Sequence, residues 1–437
     1  MKVAKFGGSS VSGAEQFRKV RDIVLSDPER RAVVISAAGK RSADDHKLTD
    51  LLYLCHAHLT YGVSCEDIMN SIEQRFVEIR DELGLSIDVE GEIKGLRGEL
   101  TKDISADYLV SRGEYFTSRL MAEYLGFDFL DAADCVFFGF DGQIDKERTY
   151  EAIAAAAAGR GRLVIPGFYG KLPTGKIKVM TRGGSDITGA LAAAALDASV
   201  YENWTDVSGI LMADPRIVKD PRPIEKITYA ELRELAFMGA SVLHEESVLP
   251  VKEKGIALNI RNTNDPGHPG TMIVDSIEED AQSGENFITG IAGRRNFTII
   301  TVLKRGLNAT YTLRQALEIF DRYHANVEHI TLGLDSFAIV SSSAALGDGL
   351  YDVLGDIKKA CRPDDIQVQD SIALVAAVGR KMTFRPGTSG RLFKALGENG
   401  VNIRTIAQGA DELSIIVGVG NSDFETAIRV LYESFAG

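Results

Sequence analysis

Hydrophobic positions in the first forty residues follow two periods. Lys2–Phe6 is a short apolar run, Gly7–Gly13 is a Gly/Ser turn, and Phe17, Val20 and Val24 then recur at helical spacing. Ala32–Ser36 (AVVIS) is a second apolar run, closed by the small residues Ala37–Gly39. The pattern predicts a βαβ unit, with Ser12 and Glu15 at capping-box spacing ahead of the helix. The same step from buried strand to small-residue loop recurs at Leu163–Gly170 and Val200–Asp206. Ala152–Ala158 and Leu191–Leu196 are Ala-rich and helical by propensity. Apolar strands ending in such loops predict an α/β fold with a mostly parallel sheet covered by helices.

The texture changes after the Pro/Gly-rich stretch Asp265–Gly270 and the acidic, polar segment Ser276–Glu285. Beyond it the chain repeats itself. A constant shift lays Thr298–Val340 over Leu374–Ile416 without a gap: Phe320 falls on Leu396, Asn326-Val327 on Asn402-Ile403, and Ile339-Val340 on Ile415-Ile416. Each copy reads strand, loop, amphipathic helix, strand, turn, strand. Neither is long enough for a comfortable core of its own, so the two are expected to pack together. The boundaries predicted are a first domain at 1–275, a linker at 276–289, and two repeat domains at 290–365 and 366–437, with strands exchanged between the last two.

Composition narrows the function classes. A length of 437 residues suits two or three domains, and 45% hydrophobic with 25% charged residues is ordinary for a soluble protein. The 4 cysteines show no CxxC pairing and are too sparse for a disulfide framework, which fits a reducing cytoplasm. No apolar run approaches the length of a transmembrane helix, and MKVAKFGGSS lacks the apolar stretch of a signal peptide. The net charge of −13 argues against nucleic acid or an anionic membrane as a partner. A small anion in a local positive pocket remains compatible with it.

Three Gly-containing motifs carry candidate chemistry. Lys5-Phe6-Gly7-Gly8-Ser9-Ser10 joins strand to helix, where backbone N–H groups, a helix N-terminus and the lysine can receive an anion. It is not a Walker A loop, because Ala14-Glu15 stands where Lys and Ser/Thr belong. Arg182-Gly183-Gly184-Ser185-Asp186 precedes the Ala-rich helix and repeats the arrangement. Its arginine can grip a carboxylate in two-pronged fashion, and Ser185 or Asp186 can serve as N-cap. Ser111-Arg112-Gly113-Glu114 is read as a helix start, its carboxylate suited either to an ammonium group or to a capping box. Together the motifs suit a nucleotide polyphosphate beside a substrate with both ammonium and carboxylate groups.

KFGGSS, SRGE and RGGSD, with Thr205-Asp206-Val207, Gly209-Ile210 and Asp214-Pro215-Arg216, resemble the aspartate kinase family over essentially the whole chain. The C-terminal repeat resembles that family's pair of ACT regulatory domains. The resemblance implies an amino acid kinase (carbamate kinase-like) α/β/α sandwich around a mainly parallel eight-stranded sheet, followed by two ferredoxin-like ACT domains. It implies ATP- and Mg²⁺-dependent phosphorylation of the side-chain carboxylate of L-aspartate, the first step toward lysine, threonine and methionine. By motif matching, Lys5 and Asp186 are catalytic. Lys5, Gly7, Gly8, Ser9, Gly183, Gly184, Ser185, Thr205, Asp206, Leu211, Arg216, Ser241 and Val242 fall on the ATP side, and Thr49, Glu114 and Arg182 on the aspartate side. Leu211 stands where the family often has tyrosine, Ser241 where it has lysine and Glu245 where it has proline. The charged loop Lys40–Lys47 is longer than the family pattern suggests.

The ACT resemblance further implies feedback inhibition, by lysine first and threonine second, with Glu328 as a residue able to meet the effector's ammonium. Open ACT edges imply a homodimer or a dimer of dimers. The alternatives left open are another enzyme of the same fold, acting on glutamate or acetylglutamate, and a non-catalytic ACT amino-acid sensor.

Overall fold

The computed structural model describes residues 1–181, 183–240, 243, 245–277, 287–306, 309–380, 382, 385–409 and 413–436. It divides into two compact units, the first made of Met1–Ile210, Pro223–Tyr229 and Val242–Glu278. Two segments from within the first 275 residues, Leu211–Arg222 and Ala230–Ser241, belong to the second unit with Glu279–Gly437.

The first half of the chain runs β1 (Lys2–Phe6), α1 (Ala14–Leu25), β2 (Arg30–Ile35), α2 (Leu48–Thr60), α3 (Glu66–Leu83), α4 (Val89–Glu99) and α5 (Ala106–Leu125). It continues through β3 (Asp128–Phe129), α6 (Ala132–Cys135), α7 (Lys146–Ala158), β4 (Leu163–Pro166), β5 (Tyr169–Lys171), β6 (Ile177–Val179), α8 (Gly184–Ala195) and β7 (Val200–Thr205). Then follow β8 (Ile210–Leu211), β9 (Pro223–Ile224), β10 (Lys226–Thr228), α9 (Tyr229–Phe237), α10 (Glu245–Glu253), β11 (Ala257–Asn262) and β12 (Thr271–Val274).

The first unit's sheet has eight strands in the order β10-β12-β11-β7-β1-β2-β4-β3. Every pairing is parallel except β11 with β12. The expected α/β sheet is therefore present, and its central strands are buried as near-continuous apolar runs. Alternation along the strands assigns the two faces. Ala4, Phe6, Val33, Ile35 and Trp204 pack in one core with Phe17, Phe76 and Phe116 of α1, α3 and α5. Lys5 points the other way, toward α8. That helix is apolar nearly all round, with Ala190 to Ala194 buried, which suits a helix enclosed between sheet and neighbours. β2 and β4 follow on one side of β1, and β7 and β11 on the other. The loops leaving β1 and β7 thus part at a topological switch point, where α/β sheets bind ligands.

The second unit contains β13 (Ile288–Leu303), α11 (Ala309–Arg322), β14 (Val327–Leu332), β15 (Ser336–Ser342), α12 (Ser343–Leu346), α13 (Leu350–Cys361) and β16 (Asp365–Gly379). It ends with α14 (Thr388–Glu398), β17 (Thr405–Gln408), β18 (Ser414–Gly420) and α15 (Phe424–Ala436). Its six strands form one antiparallel sheet in the order β14-β15-β13-β16-β18-β17. The two long strands serve both repeats. Phe297–Leu303 pairs with Asp365–Ile372 over one core, which holds Ile300, Phe320, Phe337 and Ile357. Ile288–Arg294 pairs with the Leu374–Gly379 end over the other, which holds Ile291, Val375, Leu396 and Leu431. The ladder shifts register between Arg294 and Phe297, where Asn296 has φ 69°, so the strand bends as it passes from one core to the next. Ala213 and Val218 join the second core, which explains why Leu211–Arg222 belongs to this unit.

Candidate active site

Lys5 stands at the penultimate position of β1 and is 7% exposed. Its Nζ lies 2.6 Å from Asp186 Oδ1. Asn203, the register partner of Lys5 on β7, accepts from the same ammonium through Oδ1 at 3.4 Å and donates from Nδ2 to Asp186 Oδ1 at 2.8 Å. Asp186 sits in the first turn of α8. The helix opens at Gly184, earlier than its Ala-rich stretch suggests, and Gly183 at φ 78° is its N-cap. Glycine tolerates that left-handed conformation, so neither Ser185 nor Asp186 is needed as the cap.

The turn after β1 is not followed directly by an α-helix. Gly8–Val11 forms a 3₁₀ turn, and α1 starts at Ala14 with extended Gly13 as N-cap and no side-chain capping bond, so Ser12 and Glu15 make no capping box. Close backbone approach explains the glycines. A Cβ on Gly8 would lie 2.8 Å from the Ala37 carbonyl oxygen, and one on Gly39 would lie 2.6 Å from the Gly8 backbone. Gly39 N–H donates to Gly8 O at 2.8 Å, and Gly7 N–H to Trp204 O at 3.0 Å. On the opposite face of β7, Glu202 pairs with Arg30 at 2.7 Å and accepts from the Trp204 indole at 2.9 Å, which pins the strand that carries this carbonyl.

SRGE lies inside a helix and does not begin one. α5 starts at Ala106 under the Ser105 cap, and Ser111 Oγ donates back to Tyr108 O at 2.7 Å. Gly113 is small because the next loop presses on it: a Cβ there would meet Ala37 Cβ at 3.1 Å. One turn on, Thr117 Oγ1 accepts from Ala38 N–H at 3.2 Å. Between them Glu114 is 4% exposed and takes the Ala37 backbone N–H, while its Oε2 has no partner among the described residues. Burial pushes its pKa up from 4.5 to about 8, against the pull of the Ala37 N–H and the Arg112 charge. Gly8, Ala37 and Glu114 are thereby linked through successive contacts beyond the C-terminal ends of β1 and β2, the end at which Lys5 stands.

The other sequence candidates are divided between the two units. Gly7 is next to the ammonium: a Cβ there would be 3.6 Å from Lys5 Nζ. Ser9 is exposed on the 3₁₀ turn, and Thr49 is half-buried in the first turn of α2. Ser185 abuts Gly167 of the loop after β4, where a Cβ would come within 2.6 Å of it. Thr205 ends β7 and donates to Asp206 at 3.1 Å. Leu211 and Arg216 belong to the second unit, where exposed Arg216 is paired with Asp214 at 2.6 Å. Glu328, also in that unit, is nearly buried and 3.6 Å from Arg294. Arg182, Ser241 and Val242 lie outside the described residues.

Three residues escaped sequence reasoning. Asn203 is the first. Phe168 is the second: it holds φ 77°, and its N–H donates to Thr188 Oγ1 at 3.1 Å, docking the loop after β4 on α8. Arg75 of α3 is the third. It is 2% exposed and donates to the carbonyls of Gly39 and His46 (2.7 Å for the latter), while pairing with Asp45 at 2.9 Å. The charged loop Lys40–Lys47 is therefore tied to the backbone that supports Gly8. Arg75→Met is expected to lower stability by about 2 kcal/mol, since it removes the buried donor to two carbonyls while Asp45 keeps Arg41 as its partner. It should also raise the nucleotide KM, with thermal unfolding and steady-state kinetics as the measurements.

Residues 1–262 match the amino acid kinase family and residues 375–435 an ACT domain. The chain is 33% identical to aspartokinase 3 of Bacillus subtilis, covering 100% of this chain and 98% of that one. It is 30% identical to the lysine-sensitive aspartokinase 3 of Escherichia coli, covering 99% and 98%. The crystal structure of aspartate kinase from Clostridium acetobutylicum superposes with a TM-score of 0.90 at 43% identity, covering 99% of both chains. Aspartokinase III of E. coli in complex with aspartate and ADP gives 0.75 at 28% identity, covering 100% of both chains. The lysine and aspartate complex of the same enzyme gives 0.76 at the same identity and coverage. With family and fold agreeing over both units, the chain belongs to the aspartokinase family and is an aspartate kinase.

Proposed function

We propose that the enzyme transfers the γ-phosphoryl group of ATP to the side-chain carboxylate of L-aspartate, giving 4-phospho-L-aspartate and ADP, under inhibition by an end-product amino acid. The observation that carries the reading is the Lys5–Asp186 pair set among glycine-lined turns, with the buried, half-partnered carboxyl of Glu114 on the Ala37 loop at the same end of the sheet. A carboxylate nucleophile is already ionised near neutral pH, so no general base is required. What hinders the reaction is the approach of an anion to a polyanion. Lys5 and the backbone donors of Gly8–Ser9 and Gly183–Ser185 would offset that charge, and placement of the two substrates would supply much of the rest. Glu114 would receive the aspartate ammonium, and Thr49 and Arg182 its carboxylate side. Thr205, Asp206, Arg216 and Val242 would lie on the nucleotide side, with Leu211 and Ser241 standing there in place of the family's tyrosine and lysine.

Among the described residues no group of three or more His, Cys, Asp or Glu side chains could hold a metal ion. Asp186 Oδ2 makes no hydrogen bond among them, which fits Mg²⁺ carried mainly on phosphate oxygens and water with one protein carboxylate at hand. Such an ion, when bound, would neutralise charge on the transferring phosphoryl group.

Lysine is the effector favoured for the ACT-like units, because a related enzyme of similar fold is described in complex with it. Threonine is the second choice. Glu328 would be a contact for the effector's ammonium only if it exchanged Arg294 for the ligand. The edge strands β14 and β17, with Ile330, Leu332 and Ile406 partly exposed, support pairing of subunits into a homodimer or a dimer of dimers. No helix among the described residues is long and apolar enough to cross a membrane, and the reading places the enzyme in the cytoplasm.

A coupled ATPase assay tests the reaction. ADP release should require aspartate, glutamate should support little, and added lysine should suppress the rate more than threonine does. Turnover with glutamate or acetylglutamate in place of aspartate would overturn the substrate assignment, and lysine binding without any turnover would favour a sensor.

A further inference from the structure

We propose that Asn203 is a positioning residue of the phosphoryl-transfer site: its amide sets which proton of Lys5 and which oxygen of Asp186 are left for the ligand. The inference rests on the site reading above, in which Lys5 and Asp186 carry the chemistry.

Asn203 occupies the middle of a central strand, 4% exposed, on the face of the sheet that also buries Lys5 and Tyr201. Its register neighbours are Lys5 on β1 and Ile260 on β11. An amide buried there is costly unless both its ends are satisfied. They are satisfied by the two ionised side chains of the site and in one sense only. An ammonium can only donate, so the carbonyl end faces Lys5; a carboxylate can only accept, so the NH₂ end faces Asp186. Tyr201, two residues earlier on the same face of β7, donates to the Asp186 backbone carbonyl at 3.1 Å. The strand thus holds the first turn of α8 by its main chain and by its catalytic side chain.

The closed triangle has a stereochemical consequence. Lys5 has three N–H donors; one goes to Asp186 Oδ1, one to Asn203 Oδ1, and the third remains. The side of the ammonium next to Gly7 carries no side chain, so the remaining donor has open access toward the Gly7–Gly8 turn. Asp186 Oδ1 accepts from both partners, which leaves Oδ2 for a cation or water. Asn bridges the pair without changing its net charge. An apolar residue would leave Lys5 free to swing about Asp186, and an acid would compete with Asp186 for the ammonium.

The test compares Asn203→Leu, Asn203→Asp and Lys5→Ala in the full-length enzyme, with kcat and both KM values measured from pH 6 to 8. Asn203→Leu should lower kcat by about 10–100-fold, the range for losing hydrogen bonds to charged groups, with aspartate KM changed less than about threefold. Asn203→Asp keeps the shape but sets a second carboxylate against Asp186 and beside Lys5, so its kcat should fall at least as far, again with aspartate KM changed less than about threefold. A purely structural role would lower thermal stability and move kcat and KM together. The inference fails if either variant keeps kcat within twofold of wild type while Lys5→Ala is inactive. Should the leucine variant not fold, the kcat-against-KM split of Asn203→Asp decides. An active Lys5→Ala enzyme would instead overturn the site reading itself, and this inference with it.

Discussion

Lys5→Ala is expected to lower turnover by about 10²–10³-fold while the protein stays folded, the scale seen when one electrostatic donor to a developing charge is removed. The loss should fall on kcat, because the ammonium is read as meeting charge that grows during transfer. The fold should survive because Lys5 lies at the ligand end of β1, and the core residues Ala4 and Phe6 on the other face are untouched. Removing the ammonium leaves Asp186 with the Asn203 amide as its remaining partner, so a modest change in thermal stability is expected beside a large change in rate. Steady-state kinetics with unfolding monitored by circular dichroism separates the two. Near-normal turnover in a folded Lys5→Ala protein would place the chemistry elsewhere.

The second large effect is the pH dependence of aspartate binding through Glu114. With its pKa pushed up to about 8 by burial, this carboxyl is mostly protonated at neutral pH in the free enzyme. An ammonium ligand is held best by the ionised form, so binding must draw the proton off. The aspartate KM should fall as pH rises from 6 toward 8, by about tenfold per unit below the pKa, and then level. Glu114→Gln should raise KM by about 100-fold at pH 8 and abolish the dependence.

Stability should move in the opposite sense. The folded pKa lies above the ordinary value of 4.5, so the folded state binds the extra proton between about 4.5 and 8 and loses stability as pH rises through that window. At pH 7 the penalty is on the order of 3 kcal/mol, and Glu114→Gln removes it. The variant should melt higher than wild type at pH 7 but not at pH 4. An aspartate KM that ignores pH, together with unchanged melting, would show that Glu114 neither titrates there nor meets the ligand.

Local signals in the sequence reached some features and not others. β1, β2, β4 and β7 are legible because each is an apolar run closed by small residues. The C-terminal repeat is legible because two copies of one packing unit share a hydrophobic period. The SRGE segment misleads because Ser and Glu at capping spacing occur both at helix starts and within helices. Ser105, the actual cap of α5, is an equally acceptable choice by local rules. Ser12 and Glu15 mislead for the same reason.

The rest depends on residues far apart in the chain. Nothing near Asn203 in sequence marks it, since its partners Lys5 and Asp186 arrive from another strand and another helix. Arg75 reads as a polar residue on an amphipathic helix until Gly39, Asp45 and His46 are found around it. The large raising of the Glu114 pKa follows from enclosure by α5, α2 and the Ala37 loop, which no motif spells out.

The sequence by itself determined the kind of protein: an α/β domain with two glycine-lined, cationic turns, an internally repeated C-terminal region, and enough motif to place it among aspartate kinases. Periodicity and turn chemistry are local properties, and a single chain displays them without its fold. Only the tertiary structure decided that one amide bridges Lys5 to Asp186, that a buried arginine braces the Gly8 turn, and that Leu211–Arg222 packs with the second unit. Hydrogen bonds and desolvation act at distances of a few ångströms, and it is the fold that brings residues nearly two hundred positions apart to that range.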